Sequence, residues 1–427
     1  MKTVLTRVEG EGNIVIYEKE GHVDSVKYEV IEAPRFFEFF VRGKSPDKVV
    51  DIVSRICGIC GTSYNFVAST AFERCFGVNV DPEIMAVKEA QHLAERVKSH
   101  ILHVFHLNLP DLVNTKSVVE FIPRNPQLSK RALEVLVWSR RAMEVLGGRM
   151  HNVVNIKIGG VHRVPEKSEV EKVAKDLGTV MKSFIEFVSF VLSLKAPDEF
   201  MQKTSVKPHL VALYPSTLEY PHHSDKVCMD GNVYSLSEFY GNIVKYLHVP
   251  HSTAIHCRVK GTESYVVGPI ARFNQFYNRL SKEVRDFIET YGWKAPLSNV
   301  LQSFVARIAE TYETLLMLEK FFDTYRTRPA PSTAIPEKGE FTCEYAVEAP
   351  RGILYHKYVV RDGKVVMGDI IAPTTQNVAA MDDIATTVLR GKKVDAGVVD
   401  MARKIAVSFD PCLSCSVHAL PVKIIRV

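Results

Sequence analysis

The chain has 427 residues, of which 46% are hydrophobic and 24% charged. That composition is ordinary for a globular protein and excludes disordered, collagenous and low-complexity classes. Lys plus Arg number 54 against 49 Asp plus Glu, a formal charge of +5; the basic residues are scattered, so no nucleic-acid partner is expected.

The N-terminus, Met1 to Arg7, lacks the apolar core of a signal peptide. Residues 1–42 read as strands. Asn13 to Tyr17 and Val23 to Ile31 are rich in β-branched residues, with Glu20-Gly21-His22 as a hairpin turn between them. A long helix is predicted from Pro82 to Leu109, with Asp81 as N-cap and Pro110 closing it. Further helices are predicted near Leu128–Leu146, Glu166–Leu194, Ser281–Thr290 and Asn299–Tyr325, punctuated by glycine turns. Short strands return from Tyr345 to Ile371, and two helices follow near Asn377–Arg390 and Ala396–Ser408. The best apolar run, Phe184 to Leu194, is interrupted by Glu186 and falls short of the roughly 18–20 residues of a membrane span. No repeat or linker divides the chain. The expected fold is therefore α+β and mainly helical: one unit over 1–427, with a central long-helix bundle and small sheets built from both chain ends. Within it, 1–80 is a β region, 81–340 a helical core, 341–418 a mixed region and 419–427 a tail.

Eight cysteines are too few for a disulfide scaffold in a chain this long. Cys57 with Cys60, and Cys412 with Cys415, form two C-x-x-C pairs, one near each end. Two such pairs can offer four thiolates to one soft metal. A four-cysteine structural zinc site is the common alternative, and a thiol–disulfide motif a weaker one. Structural zinc usually staples a small local module, whereas these ligands must meet across a large fold. Cys75, Cys228, Cys257 and Cys343 lie outside motifs and are expected to be unpaired small hydrophobes.

The flanking residues narrow the choice. Arg55-Ile56-Cys57-Gly58-Ile59-Cys60 and Asp410-Pro411-Cys412-Leu413-Ser414-Cys415-Ser416-Val417-His418 resemble the two cysteine motifs of the nickel–iron hydrogenase large subunit. Five more segments match in order: Thr6 to Gly10, Glu32 to Gly43, Ser99 to Asp111, Glu348 to Gly352 and Pro373 to Asn377. The resemblance implies that Cys57 and Cys412 are terminal nickel ligands. Cys60 and Cys415 would bridge nickel to an iron carrying carbon monoxide and two cyanides. Glu38, the backbone carbonyl of Ile370 and His418 would hold a magnesium ion, a hard cation suited to oxygen ligands. Glu9 would move protons beside a terminal thiolate, and Arg351 would stand over the metals, held by Asp111 and Asp410, since a buried guanidinium needs carboxylates. The implied reaction is reversible heterolytic cleavage of hydrogen.

By residue type alone these side chains have plainer readings. Glu9 in a strand is ordinarily solvated, Glu38 could be a rim carboxylate, and Asp410-Pro411 could open a turn. His100, His103 and His106 recur at three-residue spacing, yet most such histidines are packing groups. One position departs from the family pattern: Tyr64 stands where a histidine usually follows the first pair. A phenol donates a hydrogen bond but does not change charge near neutral pH.

The chain continues past His418 with Ala419 to Val427, a tail that the resemblance implies is cut by a maturation endopeptidase after nickel-insertion factors have acted. An ordinary terminal strand is the alternative. No cysteines remain for iron–sulfur clusters, so an iron–sulfur small subunit is the expected electron partner, with further electron-transfer subunits. The motifs are most similar to the NAD(P)- or deazaflavin-coupled groups, and no nucleotide-binding motif is present here. A cytoplasmic location is expected, with export or membrane association through a partner left open. Two other functions stand beside this one: a hydrogenase-like subunit of a respiratory complex, without nickel, and a zinc-stabilised binding protein.

Overall fold

The computed structural model describes residues 1–202, 207–215, 217, 219–329 and 333–417. Alternating apolar residues near the N-terminus build an antiparallel meander of Lys2–Val4, Gly12–Lys19 and His22–Val30. Ile14, Ile16, Val23, Val26 and Val30 lie inside. Glu20 and Gly21 both take positive φ, the twist that a two-residue hairpin requires. The last strand docks on the helix Pro373–Leu389: the Tyr28 amide donates to Asp382 Oδ1 at 2.8 Å and the Val26 amide to Thr386 Oγ1 at 3.0 Å. This contact joins the two ends of the chain.

With Pro373–Leu389, five more long helices carry the interior: Gly61–Cys75, Pro82–Leu102, Pro126–Gly147, Lys167–Ser193 and Ser303–Thr324. Asp81 caps its helix through the Glu83 and Ile84 amides, and Glu166 with Glu169 forms a capping box. Gly61–Cys75 is buried continuously from Gly61 to Glu73. A helix covered on every side has no amphipathic stripe, which is why its sequence carries no clear helical period. Pro110 does not close the second helix as expected. The helix widens into a π-turn at His103–Asn108 and resumes over Leu109–Leu112 with Pro110 inside. Proline lacks only a donor that a first-turn position leaves unpaired. The irregular turn sets the position of Asp111.

The strands Glu340–Ala349, Gly352–Arg361 and Lys364–Ile371 form a second meander, extended by His223–Ser224. Ala349 pairs with Gly352, so Pro350 and Arg351 are the hairpin tip. Gly352 has φ +140°, and a Cβ there would lie 2.5 Å from Val267 Cγ2, so the close approach that presents Arg351 admits only glycine.

Three expectations need correction. Residues 1–80 are β only to Val30, since Phe37–Phe40, Pro46–Val53 and Gly61–Cys75 are helices. Residues 81–340 are not purely helical: Tyr265–Val266, His209–Leu213, Lys226–Met229 and Asn232–Ser235 form a four-stranded sheet. Its Val211, Leu213, Val227 and Tyr265 pack with Ile353, Tyr355 and Ile371 of the C-terminal meander in a small separate core. Such short strands gain their stability from a distant partner, not from local pattern. Cys75 and Cys343 are not unpaired either. They form a disulfide with Cα atoms 5.0 Å apart at a sequence separation of 268, because the end of Gly61–Cys75 packs on Glu340–Ala349. Disulfides are uncommon in a reducing compartment. Cys343→Ser is expected to lower unfolding stability by about 2–4 kcal/mol, measured by denaturant titration under non-reducing conditions. Equal midpoints for variant and parent would show that the bond does not form in the native protein.

His100 and His103 serve packing, consistent with their plainer reading. Arg272, fully buried, binds Glu310 Oε2 and Glu348 Oε2, each at 2.6 Å. His100 Nε2 lies 2.8 Å from that same Glu310 oxygen and His103 Nε2 2.7 Å from the Val407 carbonyl. A buried cation with two carboxylates is tolerable only when each lone pair is met, and Tyr220 completes Glu310 at 2.8 Å.

Candidate metal centre

The first cysteine pair is placed by a helix start. Ser54–Ile56 makes one 3₁₀ turn, and Cys60 is the N-cap of Gly61–Cys75. A Cβ on Gly61 would sit 2.9 Å from the Ser54 carbonyl oxygen, so the turn closes tightly there. The Ile59 and Cys60 amides donate to Cys57 Sγ at 3.4 and 3.2 Å. Amides at a helix N-terminus favour a thiolate. The next amides, Thr62 and Ser63, are taken by Glu95 at 2.7 and 2.9 Å.

The second pair follows Ala396–Phe409, which ends at Asp410 in a left-handed conformation. The Cys412 amide donates to Thr374 Oγ1 at 2.9 Å. Glu9 and Cys412 form a parallel bridge, with the Leu413 amide donating to the Glu9 carbonyl at 2.9 Å. The two chain ends are thus stitched together through their backbones at the site itself.

Four sulfurs meet there. Cys57 Sγ lies 2.7 Å from Cys60 Sγ and 3.6 Å from Cys412 Sγ. The sulfurs of Cys57, Cys60 and Cys415 lie within 4.8 Å of one another, as do a Glu9 carboxylate oxygen and the sulfurs of Cys412 and Cys415. Cys412 and Cys415 are in bonding contact as a disulfide; as ligands they would act as two thiolates. All four cysteines are buried. Burial raises the Cys57 thiol, but the hydrogen bond from Cys60, the Arg351 guanidinium and two amides outweigh it, so Cys57 lies below the usual value. Cys60, which gives that hydrogen bond and is itself buried, is pushed well above it.

Arg351 Nε donates to the Asp410 carbonyl at 2.6 Å and Nη2 to Asp410 Oδ1 at 3.0 Å. Burial works against its charge, but Asp410, Cys60 and Cys57 more than offset that. Asp111 does not hold Arg351 as expected. It pairs with Arg7, and with Arg403 Nη2 at 2.8 Å in the middle of the helix Ala396–Phe409. Burial raises its carboxyl to about 6 despite Arg7.

Glu38 sits on the short helix Phe37–Phe40, and its Oε1 accepts from the Ile370 amide at 2.8 Å. The structure therefore brings Glu38 and Ile370 together through the Ile370 N–H. Burial, the largest cause, pushes the Glu38 carboxyl up to about 8. His418 and the tail lie outside the described residues. Tyr64 is fully buried, with its ring 5.5 Å from that of His356. Burial and the nearby Cys60 and Cys57 keep its phenol protonated.

Sequence reasoning missed three contributors. Ser414 donates to Glu9 Oε1 at 2.5 Å. Arg35 Nη1 donates to the Ile56 carbonyl at 2.7 Å and the Ser414 carbonyl at 3.4 Å, tying both cysteine loops together. Thr374 holds the Cys412 amide. Arg35 and Thr374 lie inside matched motifs, and Ser414 between two cysteines, but only the fold shows what they touch.

Glu9 Oε2, Tyr64 Oη, Arg351 Nη1 and Asp410 Oδ2 are buried without a hydrogen-bond partner among the described residues. Buried polar atoms are nearly always paired. A soft four-thiolate donor set with unpaired polar atoms around it suits a metal centre that carries further ligands.

A pocket of this kind, in a mainly helical fold closed by both chain ends, is a donor site for a soft metal. The pattern of the nickel-dependent hydrogenase family matches residues 35–132 and 257–418, and the chain belongs to that family. It is 30% identical to the alpha chain of sulfhydrogenase 2 from Pyrococcus furiosus over 97% of each chain. It is 28% identical to one of the chains of the vhu F420-non-reducing hydrogenase from Methanocaldococcus jannaschii, over 88% of this chain and 95% of that one. A solved NAD+-reducing [NiFe]-hydrogenase in the H2-reduced state superposes with a TM-score of 0.85, covering 98% of this chain and 99% of that one at 22% identity. The protein is thus a hydrogenase large subunit, an oxidoreductase acting on hydrogen. No helix among the described residues is long and apolar enough to cross a membrane.

Proposed function

We propose that the four buried cysteines hold a nickel–iron pair, with Cys57 and Cys412 on nickel and Cys60 and Cys415 shared with iron. The observation that carries this reading is the meeting of four sulfurs from both chain ends in one buried pocket. The iron would carry one carbon monoxide and two cyanides as its further ligands. When bound, the centre supplies the soft, electron-accepting site at which the H–H bond is polarised and divided.

The chain's own groups handle the proton. The Cys412 sulfur takes it, and Glu9, with a carboxylate oxygen within 4.8 Å of that sulfur, receives it on Oε2, unpaired among the described residues, while Ser414 holds Oε1. A carboxylate anchored on one oxygen and open on the other is built to receive and release. Asp410 grips Arg351 on two nitrogens and leaves Nη1 buried and, among the described residues, unpaired, so a fixed positive charge near Cys57 and Cys60 orients whatever lies there. Asp111 holds Arg7 and Arg403 against the π-turn and acts by positioning. Magnesium is assigned to Glu38, the Ile370 carbonyl and His418.

Electrons leave through another chain. Four cysteines serve the centre, two form a disulfide, and Cys228 and Cys257 are buried singly. None can build a four-thiolate cluster. An iron–sulfur small subunit is the proposed partner, with further electron-transfer subunits behind it. The whole chain works as one domain, and a cytoplasmic location is retained.

Elemental analysis tests the reading. One nickel and one iron per chain, with infrared bands of carbon monoxide and cyanide, are expected. Zinc alone would replace this function with a structural site, and absence of metal would favour the nickel-free respiratory lineage. The same active sample is expected to end at His418, with intact mass matching a chain without Ala419 to Val427. Removal of the tail by the endopeptidase, after nickel insertion, would let the last segment close. A fully active, nickel-loaded protein retaining Val427 would refute that step.

A further inference from the structure

Away from the cysteines, Glu89, His222 and His223 gather at the wall of a cavity of about 240 Å³. Their ligand-capable atoms lie within 4.8 Å of one another. Glu89 Oε1 is 3.0 Å from His223 Nε2 and 3.9 Å from His222 Nε2. Ligands each about 2.0–2.1 Å from one tetrahedral ion stand about 3.3 Å apart, between those two separations.

Each imidazole also has a partner on its second nitrogen. His222 Nδ1 lies 3.4 Å from the Tyr220 carbonyl. A carbonyl only accepts, so Nδ1 carries the proton and Nε2 keeps its lone pair. His223 Nε2–H donates to Glu89 Oε1 at 3.0 Å, so the Tyr345 hydroxyl, 2.6 Å from Nδ1, donates there; a cation would displace the Nε2 proton, and the hydroxyl would then accept from Nδ1–H. The scaffold is firm. Glu89 stands on Pro82–Leu102, Val347 pairs with His223, and the Glu348 amide donates to the His222 carbonyl at 2.8 Å. Thr217 and Glu219 line the same cavity, leaving room for water or a fourth oxygen. The other histidine–carboxylate cluster, His251, His256 and Asp382, is less suited, because Lys27 Nζ lies 3.4 Å from the Asp382 oxygen that would bind.

We propose that Glu89, His222 and His223 form a second metal site, taking a zinc-class divalent cation through two imidazole Nε2 atoms and one carboxylate oxygen, with a position open to the cavity. Two histidines and a glutamate are a donor set for zinc with exchangeable water, and the site is separate from the four-cysteine centre.

The test uses the complete, nickel-loaded enzyme with its partner subunits, cleared of loosely held ions by a mild chelator and dialysed against Zn2+. One added zinc per chain is expected. Its X-ray absorption should show a nitrogen and oxygen shell at about 2.0 Å with imidazole scattering. Glu89→Gln, isosteric at a part-exposed position, should weaken binding at least tenfold, and His223→Ala should abolish it. If His223→Ala does not fold, Glu89→Gln decides alone. Undiminished uptake in Glu89→Gln, or a sulfur shell near 2.3 Å marking zinc on cysteine, would overturn the assignment.

Discussion

Cys412→Ser and Cys415→Ser are expected to take up no measurable hydrogen and to lose nickel, while Cys228→Ser keeps most of its activity. The three cysteines are alike in burial but not in company. Cys412 and Cys415 face Cys57, Cys60 and Glu9, whereas Cys228 lies in the strand Lys226–Met229 of the second sheet. Serine preserves shape and loses the soft donor, and a hydroxyl is a poor ligand for nickel. At Cys228 the same change merely exchanges a small buried group. Metal content and hydrogen uptake on the three purified variants decide the matter. Equal losses in all three would mean that the metal-binding cysteines have been misassigned.

Glu9→Gln is expected to keep nickel, iron and the infrared bands while hydrogen–deuterium exchange falls about 10²–10⁴-fold, the usual contribution of a positioned proton carrier. The backbone bridge to Cys412 is independent of the side chain, so the loop keeps its place. Glutamine still accepts from Ser414 through its amide oxygen. What it cannot do is take up a proton on the atom that replaces Oε2. Exchange at the parent rate would remove Glu9 from the proton route, and loss of metal would assign it a structural role.

How much of this was legible depended on the range of the interaction. The hairpin at Glu20-Gly21, the Asp81 cap and the helices Pro126–Gly147 and Lys167–Ser193 were readable because each rests on neighbours a few residues away. The helix Gly61–Cys75 and the strands between His209 and Val266 were not, since burial on every side, or pairing with a distant strand, leaves no local period. The same contrast runs through the site. Its thiols were visible as two motifs, while the pairing of Asp111 with Arg7 and Arg403 required the π-turn, which Pro110 concealed by its usual meaning as a helix stop.

The amino-acid sequence by itself determined the chemistry: two cysteine pairs in their flanking motifs, a guanidinium, and carboxylates at Glu9, Glu38 and Asp410. Those are choices of functional group, and they are written residue by residue. Tertiary structure alone decided the partners. It joined Cys75 to Cys343, took Asp111 away from Arg351 to Arg7 and Arg403, set Ser414 on Glu9, and brought Glu89 against His222 and His223. Each of these depends on distances across elements far apart in the chain, which are set by how helices and sheets pack and which no local pattern encodes.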